Sequence, residues 1–461
     1  MILNNTEIND LVSNKFEIDC SSIILIQQID TNPIIYTGAG TIFQDDKGLL
    51  NLKMVSEVDN IQREVSHSPT QLQLGKIINR DYFFKLEAIG VDGKKWNAEN
   101  ISGSGHLFIS TGKKVIKSRI RKIFSEITFD SDASKNGSSC SMISTIIIEK
   151  LKFPLKAKQE GVNGRIAFNK TEWKLDSTTV KITQKDNYYK LFIDEIKGDP
   201  EVFKILFFEA LSIVFGKIIE PLSTTILKNG KHRVTIQSID KGVSNEAINT
   251  PFGVSEAYGE DSLIEFLNKY ILNIKSESSV IFGYWHKIHR VWQVGVENSA
   301  LTISVAIEGV LKEYFSNLGL PDTEILEQAE LAKQEIKLLK LPDRIRQRLL
   351  SNLGNLKSTN PKNILHQLAC NSTISKELIG EWTSLRSKST HADKVDLNNE
   401  SMQILIDQVY TNIFLFYSLL FEIIDYEGYC IDYTVNNWPE RLFRPHNLRN
   451  QKRVDRNENR S

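Results

Sequence analysis

The sequence predicts an α+β multidomain protein, with an antiparallel, β-rich N-terminal half followed by an all-helical C-terminal half. Three observations carry this. Asp92-Gly93 and Asn229-Gly230 each separate two runs of strand-like residues, a strong short-range hairpin signal. Leu50, Leu52 and Met54 alternate with Asn51 and Lys53, the period of a half-buried strand. Beyond about residue 262 the apolar period becomes helical, with Ile303, Ile307, Val310, Leu311 and Tyr314 on one stripe.

In chain order, strands are expected at 36–43, 49–55, 82–89 and 94–101, giving an antiparallel β domain over 1–125. A second β-containing region follows over 126–243. Its strands are expected at 164–168, 172–175, 179–183, 188–193, 224–227 and 233–238, with a buried helix over 201–217 opened by Asp199 or Pro200. Residues 244–284 read as a linker and connecting helix, 285–435 as the helical domain, and 436–461 as a basic polar tail. Within the helical domain Pro321 interrupts the first long helix. Further helices are expected at 324–340, from Pro342, from the N-cap Asn360 with Pro361 behind it, at 374–388 and at 402–425.

Composition excludes several classes. Hydrophobic residues make up 41% and charged residues 25%, an ordinary globular balance, and the 57 basic side chains equal the 57 acidic ones. Whole-chain charge therefore gives no sign of nucleic acid, although a small site can be locally basic. Cys20, Cys140, Cys370 and Cys430 form no CxxC pair, which argues for reduced thiols and against a zinc or redox site. The N-terminus has no basic region followed by an apolar run, so no signal peptide is expected. The most apolar stretch, Ile413 to Ile424, is shorter than the ~20 residues that span a bilayer. A cytoplasmic protein with no membrane partner is the expectation. Gly38-Ala39-Gly40 and Gly103-Ser104-Gly105 lack the remaining residues of phosphate loops and read as turns or bulges. His286 and His289 have no acidic or thiol partner near in sequence, and Trp285, Ile288 and Trp292 fit a buried stripe better than an RNA-stacking platform. No cofactor and no metal are expected.

The pattern that points to chemistry is Glu381 to Asp393, EWTSLRSKSTHAD, in which four residues separate Arg386 from His391. On an ideal helix this spacing sets the two side chains about 140° apart. Either the helix ends between them, or they converge where a second copy packs alongside. The plain alternative is a surface Arg with a capping His near a helix C-terminus, where cations are favoured.

Late in an all-helical domain, Arg386-x4-His391 resembles the R-x4–6-H motif of the HEPN superfamily. Glu308, in VAIEGVLKEYF, resembles the acidic position on the first long helix of these domains. The resemblance covers about 150 residues and implies metal-independent RNA cleavage in a homodimer formed through the HEPN domain, with Arg386 and His391 catalytic and Glu308 supporting. The sequence departs from the pattern at Ser387, where Asn is frequent; its hydroxyl can still hydrogen-bond a phosphate or the His, so Ser387 is kept as a supporting residue. Asp393 stands where the subgroup paired with nucleotidyltransferase antitoxins has Tyr, so that modification is not expected. YTGAGTIFQDDKGLLNLK and YFFKLEAIGVDGKKWNAENI are similar to the N-terminal region of ApeA-type anti-phage abortive-infection nucleases. That likeness implies a β half that responds to a phage-derived trigger and a host RNA, such as tRNA, as target. The alternative is a non-catalytic HEPN-like module that binds RNA or protein beside a ligand-sensing β domain.

Overall fold

The computed structural model describes residues 3–57, 77–102, 105–108, 113–128, 141–160, 166–242, 245–253, 259–274, 279–319, 323–355, 360–371, 374–390 and 399–446. A short helix, α1 (Asn5–Val12), opens with a capping box in which Asn4 and Glu7 satisfy each other's backbone N–H groups. Seven strands follow: β1 (Glu17–Gln27), β2 (Ile35–Gln44), β3 (Leu50–Glu57), β4 (Phe83–Gly90), β5 (Lys95–Ser102), β6 (Gly105–Phe108) and β7 (Lys113–Ile120). Then come β8 (Lys122–Thr128), β9 (Ser141–Ile147), β10 (Ala157–Glu160), β11 (Ile166–Leu175), β12 (Thr178–Gln184), β13 (Tyr189–Ile196), helix α2 (Pro200–Phe215), β14 (Ser223–Lys228) and β15 (Lys231–Gln237).

Among the described residues these fifteen strands join one sheet in the order β10-β11-β12-β13-β9-β14-β15-β8-β5-β4-β1-β2-β3-β7-β6, and the pairings are antiparallel, as the hairpin signals predict. The two ends of this sheet are joined at β5 and β8 by a single residue pair, Asn97 with Phe124. The boundary expected at residue 125 thus falls inside β8, just after the break at Arg121. One buried cluster runs across it, from Leu25, Leu52 and Trp96 to Ile123, Val234 and Ile236.

Local chemistry explains the register. Asn229 and Gly230 both take positive φ, 51° and 73°, in the two-residue turn expected of Asn-Gly. At Asp92-Gly93 only Gly93 is left-handed, with φ 79°. The Gly93 N–H bonds the Gly90 carbonyl, so Val91 and Asp92 fill the turn and Gly93 follows it. Gly38 and Gly40 are neither turns nor bulges. They lie inside β2, where an added Cβ would sit 1.9 Å from the Val55 carbonyl oxygen and 2.2 Å from that of Lys53. The bulge is in the partner strand β1, between Cys20 and Ile23. Gly103 and Ser104 lie outside the described residues. The strands expected separately at 164–168 and 172–175 are one strand, β11.

The helical half contains α3 (Gly259–Asn273), α4 (Val280–Val291), α5 (Val296–Tyr314), α6 (Thr323–Leu338), α7 (Asp343–Asn355), α8 (Pro361–Cys370), α9 (Lys376–Thr390) and α10 (Asn399–Ile424). Asn360 accepts a hydrogen bond from the Lys362 N–H, which is the cap the sequence predicts for α8. α10 packs on α5, and α9 packs on both. At 26 residues α10 is longer than its most apolar stretch suggested, long and apolar enough to cross a bilayer, but 72% of its most apolar window is buried inside the protein, as in a core helix. The expected polar tail begins differently: Glu440–Phe443 forms a strand, β17, paired with β16 (Gly428–Ile431). Backbone pairing there is reinforced by Arg441, which bonds Asp432 at 3.0 Å and lies over the Phe414 ring. Cys20 and Cys430 are buried free thiols and Cys370 an exposed one; burial pushes Cys20 up to about 11 and Cys430 up to about 12. Cys140 lies outside the described residues.

The chain divides into two compact units, Met1–Lys204 with Ile219–Asn245, and Ile205–Ile218 with Glu246–Ser461. α2, buried without a break from Leu206 to Val214, belongs to the second unit from Ile205 onward. There Glu209, buried, accepts hydrogen bonds from Tyr270 and Ser279, each at 2.9 Å.

Candidate functional site

α5 and α9 build the site. α5 buries Ile303, Ile307, Val310 and Leu311 of the expected stripe, with Ala300 and Ser304 beside them, and leaves Tyr314 half-buried. α9 buries Leu378, Ile379, Trp382 and Leu385, so that its inner face is fixed by large apolar side chains. The two helices are pinned by a polar contact at the centre of this packing. The Trp382 indole Nε1–H donates to the Ser304 carbonyl at 3.2 Å, and the ring is 1% exposed.

One turn further along both helices lies the second contact. Arg386 follows Trp382 by four residues, and Glu308 follows Ser304 by four. The Arg386 Nη2 meets the Glu308 carboxylate at 2.6 Å. Because both steps run forward in sequence, α5 and α9 run in the same direction here, and the tryptophan sets the depth at which the arginine meets the carboxylate. The Glu308 Oε1 also accepts from Lys312 at 2.6 Å, one turn along α5. Burial alone would push the Glu308 carboxyl up. Lys312 and Arg386 together outweigh it and hold the group below the usual carboxylate range. The Arg386 guanidinium lies 5.5 Å from the Trp382 ring centre.

The result is a carboxylate bridged by two cations, Lys312 and Arg386. Glu308 is largely covered, at 18% side-chain exposure, whereas Arg386 keeps 43%. An arginine held this way presents a planar donor array to solvent, suited to phosphate oxygens. Leu301 and Val305, both exposed, precede Glu308 by seven and three residues and extend the same face of α5 as an apolar strip.

Of the residues singled out in the sequence, the structure brings together Arg386 and Glu308. Ser387 is on α9 and exposed. His391 and Asp393 lie outside the described residues. The backbone of α9 is helical through Thr390, so no helix end falls between Arg386 and Thr390. Lys312 carries no sequence signal of its own, and Trp382 reads in the sequence only as part of the apolar stripe, with Ile374, Leu378 and Leu385, of the helix expected at 374–388. Each stands four residues from a residue already singled out, the spacing that puts side chains on one helix face.

Other features resolve as packing. Trp285 is fully buried and donates to the Tyr417 hydroxyl at 3.4 Å, while the His289 ring packs against it at a tilt of 31°. Among the described residues no cluster of three or more His, Cys, Asp or Glu side chains has the arrangement of a metal site. A cleft of about 520 Å³ between α9 and α10 is lined by Glu377, Glu381 and Asp407, a charge that repels a phosphate backbone. No family model matches the chain, and neither a curated protein nor a solved structure matches it.

Proposed function

We propose that this protein is a metal-independent endoribonuclease of the HEPN type, cytoplasmic, acting as a homodimer through the helical unit. The observation that carries the proposal is the Arg386–Glu308 pair. It joins two positions that the resemblance marks as catalytic and supporting, more than seventy residues apart in sequence, and it leaves Arg386 open to solvent.

In this reading the RNA 2′-oxygen attacks the adjacent phosphorus while the bond to the 5′-oxygen breaks, leaving a 2′,3′-cyclic phosphate and a 5′-hydroxyl. Arg386 binds the non-bridging phosphate oxygens and stabilises the charge that builds on them. His391 takes the 2′ proton or supplies one to the leaving oxygen, a role open to imidazole because its unperturbed form changes charge near ~6.5. Ser387 can hydrogen-bond the phosphate or the imidazole, and Glu308 positions Arg386. An unbroken helix from Arg386 to Thr390 favours the use of two copies, since a continuing helix turns Arg386 and His391 about 140° apart. The exposed Leu301–Val305 strip beside Glu308 gives the second copy an apolar surface to cover. By the likeness of its β half to ApeA-type proteins, the chain serves anti-phage abortive infection, cleaving a host RNA such as tRNA when a phage-derived trigger engages that half.

The test is cleavage of RNA in EDTA by purified wild type, Arg386→Ala and His391→Ala. Cleavage by wild type alone supports the reading, and undiminished cleavage by both variants refutes the site. Ser387 in place of Asn favours one second reading, a non-catalytic RNA- or protein-binding module. RNA binding that depends on Arg386, without cleavage in the presence of phage infection products, would select it.

A further inference from the structure

The helices α6 and α7 form a pair joined at Leu341-Pro342, and the pair is short of partners. Among its described side chains only Ala329 is buried. Helices of this length draw their stability from packing an amphipathic face, not from propensity. Yet Leu331 is 61% exposed and Leu338 85%, and Ile325, Leu339, Ile345 and Leu349 are exposed with them.

Position on each helix sorts these residues. With about 100° per residue, Glu327, Leu331, Glu335 and Leu338 share one side of α6, opposite Ala329. On α7, Arg344, Ile345, Arg348 and Leu349 share another stripe. The first stripe is leucine flanked by carboxylates. The second is isoleucine and leucine flanked by guanidiniums. The ion pairs within the two helices, Lys333 with Glu330 and Arg346 with Asp343, use other residues. An apolar seam with flanking charges of one sign facing a seam with the opposite sign is how helices choose partners.

We infer that α6 and α7 form a self-association surface, in which the acidic leucine stripe of α6 in one copy packs against the basic stripe of α7 in a second copy. The occupant is another molecule of this chain, because the two halves of the complementary surface are both present on it. The inference does not depend on the ribonuclease reading, and the contact is separate from α5 and α9.

The experiment is sedimentation velocity on the full-length protein at micromolar concentration. Two charge-reversed variants are compared with wild type: Glu327→Lys with Glu335→Lys, and Arg344→Glu with Arg348→Glu. The first carries basic stripes on both helices and the second acidic stripes on both, so each alone should show at least a twofold loss of assembled mass. Mixed in equal amounts, they should regain the wild-type mass, because each altered stripe then meets its complement. Circular dichroism checks that both fold. If a reversed pair unfolds, Arg344→Gln with Arg348→Gln supplies a neutral substitute with the same expected loss. A wild type with the mass of one chain, variants with unchanged mass, or a mixture that stays dissociated would each overturn the inference. So would an arginine variant that loses RNA binding while keeping its mass. A dimer through α5 and α9 would survive in every variant as a residual two-chain species, so the two contacts are read separately.

Discussion

Glu308→Gln is the substitution that separates positioning from stability. It keeps the side-chain volume and removes the charge that bridges Lys312 and Arg386, both at 2.6 Å. The stability effect should be small. Ion pairs of this exposure are worth about 0–1 kcal/mol, and the loss is offset in part by no longer burying a charge in a group only 18% exposed. A net change within about 1 kcal/mol follows. The effect on cleavage should be larger. Without the carboxylate, Arg386 keeps its ring contact with Trp382 but loses the bond that orients its fork. Misplacing a catalytic group by about 1 Å costs on the order of 10²-fold in rate. Single-turnover cleavage of one RNA by wild type and Glu308→Gln, with unfolding midpoints measured alongside, reads both quantities. Lys312→Gln serves as the control, since it removes the other cation and leaves the Glu308–Arg386 bond in place. A rate for Glu308→Gln within about threefold of wild type, or a stability loss above about 3 kcal/mol, would refute the positioning argument.

Trp382→Phe removes the indole donor to the Ser304 carbonyl and should lower stability by about 1–2 kcal/mol in denaturant unfolding. Trp382→Ala should cost about 3–5 kcal/mol, because it opens a cavity between α5 and α9. Gly40→Ala forces a Cβ to 2.2 Å from the Lys53 carbonyl oxygen and should destabilise the sheet by about 3 kcal/mol or more, measured the same way. Burial raises the Glu209 carboxyl above its ordinary value, against the opposing bonds from Ser279 and Tyr270. The folded chain therefore holds that proton to higher pH than the unfolded chain does. The contribution is full below the ordinary value and is lost as pH rises through the raised one. Glu209→Gln should flatten this fall in a series of melting temperatures from acid to neutral pH; an unchanged slope would contradict it.

The helical half was legible because apolar stripes and caps act over a few residues: Asn360-Pro361 and the Ile303 to Leu311 stripe place helices without reference to the rest of the chain. Several strands were harder to read. β1 buries Ile18, Cys20, Ile23 and Leu25, and the bulge at Ser21-Ser22 breaks the two-residue period that would have marked it. β9 reads SMISTII, and its burial on both faces near its end hides the alternation. The shared core across β5 and β8 depends on long-range pairing that no local pattern carries. The site divides in the same way. Arg386 and Glu308 stood out through a resemblance. The contacts that hold them, Lys312 within α5 and Trp382 across to Ser304, depend on which faces meet in space.

The measurement that tests the central claim most directly is end-group analysis of RNA incubated in EDTA with wild type and with His391→Ala. The account predicts 2′,3′-cyclic phosphate and 5′-hydroxyl ends from wild type and intact RNA from the variant. Equal cleavage by the two proteins, or products ending in 3′-hydroxyl and 5′-phosphate, would contradict it.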